Sequence, residues 1–191
     1  MADERQLIER YQQGDQAAAE AIFRLYHPAI HNLAYRMLGG SSEVEDCVQE
    51  IFLRAFRGLK GFRGDASLKT WIYRIATNTC LNYLDKAKRR GPMDSLDAEV
   101  FDEGDATLGD TLASGERGPE DQVVGVELEE AIQVALDKLA PDFRTALVLR
   151  DVEGMSYEEV ASVTGVALGT VKSRIARARA QAVRWLKDYL N

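Results

Sequence analysis

An acidic, glycine-rich segment divides the sequence into two parts. Residues 92–122 contain ten acidic residues and one basic residue, Arg117, so the segment has a net charge of −9, whereas the whole chain of 191 residues has −7. Five glycines lie within residues 91–118, where apolar residues show almost no periodicity, and both features are typical of a linker. Repulsion between the carboxylates favours an extended conformation. The sequence therefore predicts two folded units, residues 1–91 and 123–191, joined by an acidic flexible linker at 92–122.

Both units have the apolar periodicity of helices. Apolar residues recur three and four positions apart, and no stretch shows the sustained alternation of a strand. Residues 42–45, Ser-Glu-Val-Glu, have the pattern of a capping box that opens the third helix. Glycine or proline follows several of the periodic stretches and marks where each helix ends. The predicted fold class is all-α, with helices at residues 3–13, 16–38, 42–59, 66–88, 123–139, 142–152, 156–164 and 170–187.

Basic residues are clustered within the two units. Residues 54–90 hold ten basic residues and two acids, and residues 168–187 hold six basic residues and no acid. Such clusters favour contacts with phosphate groups. A solvated helix face gives the same charge pattern, so charge alone does not establish a nucleic-acid partner.

Other classes of protein find little support in the sequence. It contains no phosphate-binding glycine loop and no nucleophile elbow, so we expect no enzyme and no cofactor. His27 and His31 lie one helical turn apart but have no third ligand nearby, and Cys47 and Cys80 match no zinc or disulfide framework. No apolar run is long enough to cross a bilayer, and we expect no secretory signal. We expect a cytoplasmic protein without a metal site and without membrane insertion.

The second unit has the pattern of a helix-turn-helix. Residues 156–159, Ser-Tyr-Glu-Glu, form a capping box, and Gly165 permits a tight turn before the next helix. On that next helix Val171, Ile175, Ala178, Ala182 and Leu186 share one face, and basic and hydroxyl side chains occupy the other. In this arrangement the second helix presents its first residues to the major groove of DNA.

The first unit combines an amphipathic helix with aromatic and basic residues. On the third predicted helix, acidic and amide side chains lie beside the apolar stripe, followed by Leu53 and Arg54. Further along, aromatic residues alternate with bases, a composition that suits single-stranded DNA because bases stack on aromatic rings. Arg74, Asn78 and Asn82 lie four residues apart on one helix face and could read an extruded base. Ile72 and Ile75 are expected in the core, and Trp71 is expected to be partly buried.

These motifs resemble those of extracytoplasmic-function (ECF) sigma factors of bacterial RNA polymerase. The resemblance rests on residues 156–161, 169–179 and 139–150 in the second unit. It also rests on 46–52, 62–65 and 71–82 in the first. It implies a region 2-like helical bundle followed by a region 4-like helix-turn-helix.

The resemblance also implies a role for each group of residues. Core RNA polymerase, through the coiled coil of its largest subunit, would bind Asp46, Gln49, Glu50, Leu53 and Arg54, with the flap of the β subunit as a second contact. The −10 element of promoter DNA would bind Arg63, Lys69, Trp71, Tyr73, Arg74, Asn78 and Asn82. The −35 element would bind Thr170, Lys172, Ser173, Arg174 and Arg177.

The resemblance implies an alternative sigma factor that responds to envelope or other stress under the control of an anti-sigma factor. The acidic linker would then occupy a basic channel of the polymerase near the path of nascent RNA. A stand-alone helix-turn-helix regulator is the competing hypothesis, with a first unit that senses a ligand or a partner.

Overall fold

The computed structural model describes residues 4–90 and 119–190, with side chains at 4–89 and 127–187. The central acidic segment therefore lies largely outside the described residues, and the interpretation of it as a linker stays a prediction. The described residues form helices and turns and contain no strand. The helices are α1 Glu4–Gln12, α2 Gln16–Leu38, α3 Val44–Leu59, α4 Leu68–Arg90, α5 Pro119–Asp137, α6 Pro141–Leu147, α7 Tyr157–Thr164 and α8 Leu168–Leu190.

Most predicted helices are confirmed to within two or three residues, but three details differ. The helix predicted at 123–139 is α5, which begins four residues earlier, at Pro119, and ends at Asp137. The capping box predicted at residues 42–45 is wrong: α3 begins at Val44, and its cap residue Glu43 has α-helical dihedrals and makes no side-chain capping bond. Because α3 begins two residues after Ser42, the N-cap position is Glu43 and not Ser42. An N-cap side chain bonds the helix from a residue with an extended backbone, and Glu43 has a helical one. The helix predicted at 142–152 starts at Pro141 and changes at Val148–Val152 into a π-helical turn.

The first unit is a bundle of α1–α4. Asp15 caps α2 by accepting a hydrogen bond from the backbone N–H of Ala17 at 2.8 Å, and Gly39 ends α2 in the left-handed conformation. Ile22, Ile30 and other residues of α2 pack against the apolar stripe of α3 and against α4. Ile72 is buried and Ile75 is partly buried against the core, as predicted.

The second unit is built around α8. Val171, Ile175, Ala178 and Ala182 are at most 4% exposed and pack with residues of α6 and α7. The predicted core-facing side of α8 is confirmed at these four positions.

The two units also pack against each other. One continuous apolar core contains residues from both, because α2 contacts α5, α6 and the π-helical turn, and α4 contacts α6 and α7. At the centre of the contact, buried Arg144 donates to the backbone oxygens of Met37 and Asp137, both at 2.6 Å. Arg144 also lies 3.1 Å from the carboxylate of Asp137.

Replacing Arg144 tests how much this contact contributes to stability. Arg144→Ala leaves two carbonyl groups without their donor inside a packed interface, so we expect a loss of about 3 kcal/mol of unfolding free energy. Lys172→Ala, which removes a positive charge from an exposed site, should change stability by less than about 0.5 kcal/mol. Urea denaturation followed by circular dichroism measures both variants. Equal stabilities for Arg144→Ala and the unchanged chain would contradict this assignment.

Candidate nucleic-acid interfaces

The helix-turn-helix of the second unit has the predicted local geometry. The Ser156 hydroxyl accepts from the Glu159 N–H at 3.1 Å, and the Glu159 carboxylate accepts from the Ser156 N–H at 2.8 Å. This pair is a complete capping box and fixes the start of α7. Gly165, with a φ of 73°, ends α7 in the left-handed region, and its N–H donates to the Ala161 carbonyl at 2.8 Å. The chain then turns directly into α8.

The side of α8 opposite its buried stripe is polar and basic. Thr170, Lys172, Ser173 and Arg177 are exposed, and the Ser173 hydroxyl donates to the Thr170 carbonyl at 3.0 Å. Arg174 is half-buried and pairs with Asp142 of α6, with Nη2 and Oδ2 2.5 Å apart. All five predicted −35 residues therefore lie within the first three turns of one helix, and one of them is held by an ion pair.

Arg179 has a different role from the other bases of α8. Its Nε and Nη2 atoms donate to the two carboxylate oxygens of Asp151 at 2.9 and 2.7 Å. Both side chains are largely buried, and the hydrogen bonds that Arg179 donates to Asp151 raise the pKa of the Arg179 guanidinium above its ordinary value. This pair anchors α8 to the π-helical turn. The sequence places Arg179 in the basic cluster but does not show that the Asp151 carboxylate balances its charge.

The predicted polymerase-binding residues lie on the outer side of α3. Asp46, Gln49, Leu53 and Arg54 are exposed, and Leu53 keeps 45% of its surface open to solvent. The Arg54 guanidinium donates to Glu50 at 2.6 Å, and this hydrogen bond lowers the pKa of the Glu50 carboxyl.

An exposed aromatic residue of α2 lies close to that surface. Phe23 is 37% exposed, and its ring centroid is 4.7 Å from that of Phe52 on α3. Sequence reasoning missed Phe23, although its position outside the apolar stripe of α2 was a detectable signal.

Three of the seven predicted −10 residues, Arg63, Trp71 and Arg74, line a cavity of about 510 Å³ at the start of α4. The rings of Phe62 and Trp71 are 5.1 Å apart at their centroids on its wall, and Arg63 and Arg74 supply positive charge. Trp71 is half-buried, as predicted. The remaining lining residues are Gly58, Gly61, Asp65, Ala66 and Ser162. Ser162 belongs to α7, so the second unit closes one side of this cavity.

The other predicted −10 residues divide into two groups. Asn78 and Asn82 are exposed on α4, and Lys69 lies with Nζ 5.9 Å from the centre of the Tyr73 ring. Tyr73 is only 2% exposed, and its hydroxyl donates to Glu153 of the second unit at 2.5 Å. Burial first, and then this hydrogen bond, raise the pKa of the Tyr73 phenol far above its ordinary value.

The described residues contain no group of three or more potential metal ligands. The His31 ring bonds the Glu45 carboxylate at 2.9 Å, and the His27 ring packs against Phe23 and Phe52. Cys47 and Cys80 are buried, with their sulfur atoms 3.8 Å apart. Within the part of the chain that the structure describes, no helix combines the length and the apolar composition that crossing a membrane requires.

Comparison with known proteins identifies the family. Residues 22–90 match the model of sigma-70 region 2, and residues 129–181 match that of sigma-70 region 4. The chain is 41% identical to RNA polymerase sigma-H factor of Pseudomonas aeruginosa, over 92% of this chain and 90% of that protein. It is 40% identical to the ECF RNA polymerase sigma-E factor of Escherichia coli, over 91% and 88%. The protein belongs to the ECF sigma factors of RNA polymerase.

Two solved structures show the same arrangement of helices. CnrH in complex with the cytosolic domain of CnrY matches 97% of this chain and 99% of its own, with a TM-score of 0.67 and 25% identity. The sigma factor RpoE of Bartonella quintana, in complex with the anti-sigma factor NepR, matches 88% and 96%, with a TM-score of 0.62 and 26% identity. Each match spans both units of the chain. We call the first unit region 2 and the second region 4 from here on.

Gly58 sets the position of the Trp71 ring at the cavity, and this dependence can be measured. A Cβ atom on Gly58 would lie 2.9 Å from Cζ2 of Trp71, so Gly58→Ala must displace the indole. Gly61→Ala is the control, because its Cβ would meet its nearest neighbour at 3.9 Å. In a Trp185→Phe background, we expect Gly58→Ala to shift the fluorescence emission of Trp71 and Gly61→Ala to leave it unchanged.

The free energy of unfolding of Gly58→Ala provides a second test, because alanine stabilises a helix by about 1 kcal/mol relative to glycine. Displacement of Trp71 should cancel that gain in Gly58→Ala. An unshifted emission spectrum together with a full gain in stability would contradict the close contact.

Proposed function

We propose that this alternative sigma factor uses its two units for separate contacts with one promoter. Region 2 binds core RNA polymerase through α3 and holds an unpaired strand of the −10 element at the cavity before α4. Region 4 binds the intact −35 duplex through α8. The protein acts as a transcription initiation factor in the cytoplasm and not as an enzyme. The observation that carries the proposal is the exposed polar face at the start of α8, present in the same chain as an aromatic and cationic cavity.

The chemistry of each surface suits its proposed ligand. Arginine and lysine on α8 can bind guanine edges or phosphates in the major groove. The rings of Phe62 and Trp71 offer stacking surfaces, worth about 1–3 kcal/mol per base, and Arg63 can bind the strand backbone. Asn78 and Asn82 present exposed amides along the same helix. On α3 an exposed leucine among charged residues suits a helical partner, because apolar contact gives affinity and charges fix the register.

Control by a protein inhibitor is part of the proposal. One of the matched structures is a sigma factor in complex with an anti-sigma factor. We infer that a comparable inhibitor binds this chain until envelope or other stress releases it. The coiled coil of the polymerase's largest subunit and the β flap are the proposed docking sites for region 2 and region 4.

Transcription with purified components distinguishes this proposal from a stand-alone regulator. The chain and core RNA polymerase are mixed on fragmented genomic DNA, and transcript start sites are mapped. A sigma factor requires the core enzyme to bind and open its promoters. Specific protection of an operator by the chain alone, with no transcript in the reconstituted reaction, would favour the regulator instead.

The exposed leucine of α3 should contribute to polymerase binding. Leu53→Asp places a charge in the proposed apolar contact, so we expect at least about a tenfold loss of affinity for core polymerase, equivalent to about 1.4 kcal/mol. Val134→Asp on α5 is the matched control, because Val134 is also 45% exposed. Biolayer interferometry measures both affinities, and circular dichroism verifies folding. Equal effects of the two variants would remove α3 from the proposed polymerase surface.

The basic face of α8 should determine use of the −35 element. Arg174→Ala combined with Arg177→Ala removes two contacts, each worth about 1–3 kcal/mol if it reads a base. We therefore expect a marked loss of transcription from −35-dependent promoters with polymerase affinity unchanged. Arg24→Ala is the control, because Arg24 is an exposed arginine of region 2 paired only with nearby Glu20 among the described residues. Run-off transcription should show no loss for Arg24→Ala, and full activity of the double variant would exclude the basic face.

A further inference from the structure

The loop between α3 and α4 carries part of the cavity wall. Residues 60–67 lie between the end of α3 at Leu59 and the start of α4 at Leu68, and they form turns and bends rather than a helix or a strand. Phe62 belongs to this loop and lines the cavity beside Trp71. A loop without regular structure needs bonds to neighbouring elements if its side chains are to keep one position.

Gln12, the last residue of α1, supplies such bonds. Its Nε2 atom donates to the backbone carbonyl of Leu59 at 3.0 Å and to that of Phe62 at 3.0 Å. The N–H of Phe62 donates to the same Leu59 carbonyl at 3.2 Å, so these two residues are the ends of one turn. One amide group therefore uses both of its protons to hold both ends of the turn. In the described part of the chain, no other side chain donates to either carbonyl.

The helix that carries Gln12 is itself firmly attached. Leu7 and Ile8 of α1 are buried in the apolar core. The Tyr11 hydroxyl donates to the Phe56 carbonyl of α3 at 2.8 Å, and the centroids of the two rings are 5.6 Å apart. Gln12 therefore extends from a helix whose position relative to α3 is fixed.

The turn determines where the Phe62 ring lies relative to the indole of Trp71, 5.1 Å away between centroids. A base stacks more favourably on rings that are already held in place, because the entropy of ordering them is lost before the strand binds. Without the two bonds from Gln12, the backbone of Phe62 gains freedom to move. The preformed wall is then present in only a fraction of the molecules, and the affinity for a base falls with that fraction.

We propose that Gln12 is a positioning residue for the −10 cavity and holds the Phe62 ring beside Trp71, where an unpaired base can stack. This inference rests on the proposed function of the cavity. It gives a part in DNA binding to α1, which lies before residues 22–90 that match the model of sigma-70 region 2. Gln12 acts through the turn and does not contact the strand.

The decisive variant is Gln12→Glu, with Gln13→Glu as its matched control. Glutamate has the shape of glutamine, but its carboxylate would face the two carbonyl oxygens that the amide now bonds. Gln13 is the next residue and is exposed, and its side chain makes no hydrogen bond among the described residues. Both variants add one negative charge at the end of α1, so any general repulsion of DNA should be similar in the two.

Fluorescence anisotropy of the reconstituted holoenzyme measures the effect on DNA binding. The probe is a fluorescein-labelled single strand with the non-template −10 sequence of a mapped promoter. We expect Gln12→Glu to bind this strand about fivefold more weakly than Gln13→Glu. Tyr11→Phe removes a bond between α1 and α3 without touching the turn, so it should bind like the unchanged chain. Equal affinities of Gln12→Glu and Gln13→Glu would overturn the inference, and so would an equal loss in Tyr11→Phe.

A double-mutant cycle separates positioning from a general structural role. Phe62→Ala removes the ring that Gln12 is proposed to hold. In this background we expect Gln12→Glu to weaken strand binding by less than about twofold, because the two changes act on the same contact. A loosened helix would instead weaken binding by the same factor with or without the ring, and that result would contradict the inference. Circular dichroism verifies that each variant retains its helices.

The fluorescence emission of Trp71 tests the same contact without a promoter. In a Trp185→Phe background, we expect Gln12→Glu to shift the emission, since Phe62 no longer holds its place beside the indole, and Gln13→Glu to leave it unchanged. An unshifted spectrum of Gln12→Glu would overturn the inference. Failure to map any promoter would instead overturn the proposed function, and the spectra would still report whether Gln12 holds the cavity wall.

Discussion

The buried stripe of α8 determines where the basic residues of region 4 point. Val171, Ile175 and Ala178 are packed against α6 and α7, so the helix cannot rotate without exposing them. The Ser156 capping box and Gly165 fix the helix that precedes it. The exposed side of α8 is therefore oriented by apolar packing before any DNA contact is made. The same constraint acts on α3, where a buried stripe leaves Leu53 on the outside.

Packing between the units gives α4 two different environments. Its start and its outer face are accessible, with Trp71 half-buried and Asn78 exposed. Its central side, at Tyr73, is covered by region 4. Residues of one helix that share a proposed ligand are thus divided between an accessible group and a covered group.

Much of the fold could be predicted from the sequence, because local signals define it. Apolar spacing gave α2 with its observed bounds, and Ser156 with Glu159 gave the start of α7. The pattern at Ser42 was misleading because Glu43 takes a helical backbone conformation that no local motif reveals. For the candidate DNA-binding sites, the sequence predicted which side chains take part but not which of them bond to each other. The bonds from Tyr73 to Glu153 and from Arg179 to Asp151 join residues that are distant in the chain, so spacing alone does not show them.

We propose that one chain opens a promoter with region 2 while it holds the upstream duplex with region 4. Footprinting of the reconstituted holoenzyme on a mapped promoter tests this directly, with permanganate detecting unpaired thymines and DNase I detecting protected duplex. We expect reactive thymines around the −10 element and protection at the −35 element, both dependent on the chain. Protection without unpaired bases, or unpaired bases without upstream protection, would contradict it.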